Sequence, residues 1–490
     1  MASNLCLMSS APNSAVETES AASTVAKPEK MLAGFPWVSA IVLYTLSWGW
    51  SLLRPNTLYW DDWHDLFQRS RWFARDYYLS TGRPPWNGVA HALLTPVGIW
   101  TFTYLTFVLF FASGLFLYLI LRSTSFFIDQ DLKFVVLIFM IVPVNHARIS
   151  AIIFQYTTSY FLFFLGWFLL VRYKSIKIFV LACATFFLSF KTHSLLFFYP
   201  LPFIHFFWLN KMKIGQITTP KKRHSQLAII LLLPISYLLM RGLFWPPSEE
   251  WTSYQRPGMA GLVRWLPLSI PFLLGFILFS WNLKFKKNTT KGIFYLWIGS
   301  GITALALLPY FLIGYFRPYA SLIALRADWG TRNQILMPLG LALCVVGVNS
   351  IVRPYLKNLV FTLTTIVSLI FNTYFGSNYF LDSLKKDQVI ELFSMQPALD
   401  NKIELLIVDL TKRFNGRGST YRDSEWTGLL KIADFEVASV NGEISCKELP
   451  SALQVTLKSD TSYFSALFSG DLGLYIVIEP CSAVLENDSL

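Results

Sequence analysis

The chain of 490 residues is 54% hydrophobic and 17% aromatic, only 14% of it is charged, and its mean hydropathy is +0.47. Apolar runs this long and numerous exclude an ordinary water-soluble enzyme and read as an all-α polytopic membrane protein. The net charge of +12 would suit nucleic acid in a soluble domain, but cytoplasmic loops of membrane proteins gather Lys and Arg, so no nucleic-acid partner is expected.

Residues 1–30 are rich in Ser, Ala, Thr and Glu with no apolar period, the composition of a disordered leader. They lack the basic-then-apolar order of a cleaved signal. Lys27 and Lys30 precede a first apolar run at 33–53, which puts the N-terminus in the cytoplasm and the following loop, 54–98, outside it. Further runs lie at 99–121, 133–145, 152–171, 176–190, 194–209, 226–244, 265–283, 292–316, 334–351 and 357–379, for about eleven transmembrane helices within a domain spanning 31–380. The 133–145 and 176–190 runs are short and read as tilted or partly re-entrant.

Each inner loop in this threading is basic, from Arg122 and Lys133 to Arg353 and Lys357. What stays outside is mostly arginine, including Arg69, Arg71, Arg75, Arg83, Arg148, Arg326 and Arg332, together with Lys191. These break the orientation bias and so invite a reason. Arg241 stands near the outer end of the 226–244 run, where a charge costs about 2–3 kcal/mol unless it snorkels or finds a partner. From 381 to 490 the composition turns mixed polar, with β-like runs at 403–410, 451–457 and 472–479, as in a small C-terminal α/β soluble domain. An odd number of spans puts it on the side of the 54–98 loop, outside the cytoplasm. Cys446 and Cys481 both fall in this tail, so a disulfide is open to them there, and no cysteine pair has the CxxC spacing of a metal or redox site.

The densest polar chemistry is in the stretch RPNTLYWDDWHDLFQRSRWFARDYYLSTGRP, residues 54–84. Asp61 and Asp62 lie between Trp60 and Trp63, and either would serve as a general base. Apolar neighbours would raise such a carboxyl and arginines would lower it. His64 is three positions after Asp61. It reads either as a hydrogen-bond partner of a neighbouring carboxylate or, with Asp61 and Asp65, as a divalent-metal site that the pattern supports only weakly. The segment VPVNHARISAIIFQ puts His146 and Arg148 after Pro143, as a capped turn or as substrate contacts. In LSFKTHSLLFFYP, Lys191 and His193 have no acidic neighbour in sequence; an anionic ligand or snorkelling to lipid phosphate would satisfy the lysine. Arg326 and Arg332 precede the 334–351 run and read as phosphate-capturing or as interfacial anchors.

Taken together, YWDDW after the first span, GRP at 82–84, PVNHAR, SFKTHSLLFFYP, YLLMR at 237–241 and TRNQILMPLGLAL at 331–343 resemble the GT-C superfamily of polytopic membrane glycosyltransferases, which includes protein O-mannosyltransferase-like proteins. The resemblance covers about residues 33–350. It implies a polyprenyl-phosphate-linked sugar donor and a glycan, lipid or protein acceptor. It also implies a catalytic carboxylate at Asp61, with Asp62 second, and phosphate-binding cations at Lys191, Arg241 and Arg332. Thr192 and Ala147 stand where family members often have acidic residues. The expected location is the cytoplasmic membrane of a bacterium, or the ER of a eukaryote. A lipid-linked saccharide flippase, using the same cations for diphosphate and the carboxylates for proton coupling, is the alternative.

Overall fold

The computed structural model describes residues 34–63, 72–124, 126–173, 175–212, 220–251, 258–267, 287–315, 320–322, 327–352, 356–396, 404–415, 421–435, 439–441 and 452–481, with a few single positions besides. Helices dominate. Five are long and apolar enough to cross a membrane: Trp100–Arg122, Ala151–Arg172, His224–Phe244, Lys291–Leu312 and Asn358–Ser394. Shorter apolar helices cover Trp37–Trp48, Gly88–Val97, Ile176–Ser189, Ser194–Trp208 and Met337–Ile351. Most of the 265–283 run lies outside the described residues, so five helices of spanning length stand where about eleven spans are expected.

Two of the expected spans differ in kind. The 133–145 run forms the helix Asp129–Ile141, and from Val135 to Ile141 every side chain is buried. It packs against the helices Trp37–Trp48, Trp100–Arg122, Met337–Ile351 and Lys357–Ser394, and Pro143 follows its end. The last run does not stop at 379. It belongs to one helix, Lys357–Ser394, that continues well into the polar tail. The composition changes at 381 because the helix changes neighbours: Leu381, Leu384, Val389 and Phe393 are buried against the C-terminal fold.

Glycines let one helix pair approach closely. Gly292 and Gly299 on the helix Lys287–Leu312 face Gly347 and Gly340 on Met337–Ile351. Spaced seven apart on each helix, they share one face. A Cβ on Gly299 would sit 2.7 Å from the Gly340 carbonyl oxygen, and one on Gly340 would sit 2.6 Å from the Thr303 backbone nitrogen. Small residues at such a seam let backbones approach and gain dispersion where lipid offers no hydrophobic drive.

The tail forms a four-stranded sheet in the order β2 (Ser439–Asn441), β1 (Glu404–Asp409), β3 (Leu453–Ser459), β4 (Leu474–Pro480), parallel except for β4. Cys446 and Cys481 are disulfide-bonded. The helix Asp423–Ile432 covers the sheet, with Asp423 and Glu425 in its first turn, where the helix dipole favours negative charge. Its core includes two residues of the first loop, Leu58 and Trp63, packed with Phe393, Trp426, Leu429 and Val455. Gly428 leaves the space that the Trp63 ring fills. Buried ion pairs Lys385–Asp409 and Lys386–Asp382 tie the long helix to β1 and to itself, and Lys386 also donates to the Leu58 carbonyl at 2.8 Å. The tail and the loop at 54–63 are thereby packed into one body.

Candidate functional site

The two adjacent aspartates have opposite environments. Asp62 is fully buried, and its carboxylate accepts from the Tyr59 N–H at 3.0 Å, the Ser150 hydroxyl at 2.7 Å, the Ala151 N–H at 3.0 Å and the Ile152 N–H at 2.8 Å. Burial pushes its carboxyl up and the four donors pull it back, leaving it at about 6. With both oxygens engaged by donors, Asp62 fastens the first loop to the segment that opens the helix Phe154–Arg172. Trp60 makes the turn possible: at φ +51 it adopts a left-handed conformation and packs its ring 5.5 Å from Trp329 and 5.7 Å from Tyr379. Asp61 turns the other way, partly exposed, and pairs with Arg422 of the tail at 2.8 Å. His64, Asp65, Arg69 and Arg71 lie outside the described residues, as does Arg326.

Three of the expected cations come together from separate segments. Lys191, just past the helix Ile176–Ser189, is buried; its ammonium donates to the Gln155 side-chain oxygen and lies 3.9 Å above the Tyr78 ring. Arg83 reaches to within 3.5 Å of the Tyr156 hydroxyl. Arg241, near the end of Pro220–Phe244, donates its Nε–H to the Gly82 carbonyl at 2.6 Å. Gly82 is required there: its φ is +71, and a Cβ would lie 3.0 Å from Pro247 and 3.1 Å from Arg241 Nη2.

Their electrostatics report one another. Burial, and then Arg83, push the Lys191 ammonium well below the usual lysine range. His193 is pushed down by burial and then by Arg241, Arg83 and Lys191. Among the described residues none of the three cations has a carboxylate partner. A group of partly desolvated positive charges with only neutral partners is matched to an anion. Arg332 stacks on Trp329 at 4.3 Å and lies within electrostatic reach of Tyr310, which in turn is beside Ser194 and Tyr156. It therefore borders the same cluster from the segment that leads into Met337–Ile351.

His146 and Arg148 point elsewhere. The Arg148 guanidinium is sandwiched 3.1 Å from the Trp48 ring centroid and 4.1 Å from that of Phe110, and the His146 ring sits against Trp48 and Phe375. The described members of the expected substrate-binding set thus divide into a cluster around Lys191 and a second pair, His146 and Arg148, packed against Trp48. Sequence reasoning missed Gln155, Tyr78, Tyr156 and Arg422. Gln155 carries a legible signal, a lone amide in an apolar run; Arg422 carries none, being one charge in a charged tail. Among the described residues no group of three His, Cys, Asp or Glu side chains could hold a metal ion. Compared with family models, curated proteins and solved structures, the chain matches none.

Proposed function

We propose that the protein is a membrane glycosyltransferase of GT-C type, transferring a sugar from a polyprenyl-phosphate donor to an acceptor hydroxyl on a glycan, lipid or protein. One observation carries the reading: Arg83, Lys191 and Arg241 converge from three distant segments with no carboxylate partner among the described residues. A polyprenyl phosphate presents the matching chemistry, an anionic head on an apolar tail that an intramembrane groove accepts. Asp61 is assigned as base. It removes the acceptor proton as the hydroxyl oxygen attacks the anomeric carbon; the bond from that carbon to the phosphate oxygen breaks, and the polyprenyl phosphate leaves with the electron pair. Lys191, Arg83 and Arg241 stabilise the charge on the departing phosphate, with Arg332 at the margin. Asp62, filled by four donors, positions Asp61 and does not exchange protons in the reaction.

The disulfide in the tail supports an extracytoplasmic site, since such bonds persist in oxidising compartments. The tail packs on the 54–63 loop, so the two share that side.

The test is release of free polyprenyl phosphate from a panel of polyprenyl-phosphate sugars, by purified wild type and Asp61→Asn. Wild type releases it from one donor class, and Asp61→Asn loses roughly a hundredfold or more in rate, as for a removed general base, with donor binding retained. No release from any donor in the presence of crude acceptor extract contradicts the proposal and favours the transporter reading.

A further inference from the structure

A second buried cation lies apart from the Lys191 cluster. Arg148 is 7% exposed, and among the described residues neither its Nη1 nor its Nη2 has a hydrogen-bond partner. Stacking on Trp48 and Phe110 offsets part of its desolvation through the ring faces. The edge of the guanidinium, where the N–H groups point, is left unmatched. Arg148 lines a cavity of about 30 Å³ bordered by the helices Trp37–Trp48, Trp100–Arg122 and Lys357–Ser394. Ser47 and Thr106 also line it, and among the described residues the buried Ser47 Oγ and Thr106 Oγ1 each have no hydrogen-bond partner. No Asp or Glu is among the lining residues.

We infer that this cavity binds a small monovalent anion, of halide size, held by Arg148 with the Ser47 and Thr106 hydroxyls. Water alone would satisfy the hydroxyls but leave the guanidinium without a counter-charge in a low-dielectric surround, where an unpaired ion is costly. Volume bounds the ligand, since about 30 Å³ is the room of one or two waters. A dianion would meet a larger desolvation penalty than one guanidinium returns. The site is independent of the donor-phosphate assignment, because none of Arg83, Gln155, Lys191 and Arg241 lines the cavity.

The experiment uses the purified full-length chain in detergent, exchanged between sodium gluconate and sodium chloride or bromide at constant ionic strength, with the thermal unfolding midpoint as readout. The midpoint rises saturably with chloride and bromide and stays flat in gluconate. Arg148→Met abolishes the response. Because that variant removes a buried stack, Thr106→Val serves as the milder one: it folds and shifts the half-saturating chloride concentration upward by roughly tenfold, the effect of one lost hydrogen bond to a charged ligand. A halide response of the same half-saturation in Thr106→Val, or no halide response in wild type, overturns the inference. So does stabilisation by anionic-lipid nanodiscs in gluconate with no added effect of halide, which would assign the counter-charge to a headgroup.

Discussion

Asp61 and Asp62 are neighbours with the same chemistry and different work. Both sit between tryptophans in sequence, and the pattern there does not separate them, because three of the four donors that fill Asp62 come from Ser150, Ala151 and Ile152, far along the chain. Asp62→Asn puts an NH₂ group against backbone N–H donors; the expected cost is about 2–3 kcal/mol of stability, read as a lowered unfolding midpoint at pH 7. Its titration gives a second check. The folded carboxyl is raised from 3.8 to about 6, so its contribution is fully present below about pH 4, declines as pH rises to about 6 and is flat above. The wild type therefore loses more stability than Asp62→Asn between pH 4 and 6.5, and parallel pH profiles would contradict this. Gly82→Ala probes the cation cluster from the backbone side. A Cβ at φ +71, crowding Arg241 and Pro247, displaces the guanidinium and weakens donor binding while the acceptor KM holds; an unchanged donor KM would count against the placement of Arg241.

Elements were more legible than their partners. The β-like runs at 403–410, 451–457 and 472–479 correspond to β1, β3 and β4 within two residues at each end, since short runs rich in apolar and β-branched residues specify a strand locally. The three-residue β2 carried too short a pattern to read. The long helix outruns the apolar run that ends at 379 because the stretch that continues it, SLKKDQVIELFS, is mixed polar. Its lysines are buried ion-pair partners, and burial of that kind cannot be read from composition. Helix pairing was likewise hidden, although the seven-residue glycine spacing was its signal. Gly340→Val wedges the two helices apart, and about 1–3 kcal/mol of destabilisation is expected from overpacking, measured against Gly314→Val, where nothing lies within 4 Å of a Cβ although its positive φ carries its own strain.

For the molecule as a whole, what stood out in the sequence was the cations of the expected outer loops, because Arg and Lys there run against the orientation bias. Their convergence needed the fold, as did the separation of Arg148 from Lys191. The tail is tied in as well: Trp63 enters its core, and Arg422 pairs with Asp61, so the C-terminal fold and the first loop are packed together. The most direct test of the account is equilibrium binding of a fluorescent polyprenyl phosphate to the purified chain in nanodiscs, comparing wild type with Lys191→Ala, Arg241→Ala and Asp61→Asn. The account predicts roughly tenfold or greater weakening for each cation variant, from loss of a charge-assisted contact, and wild-type affinity for Asp61→Asn. Equal affinity across all four proteins would contradict it.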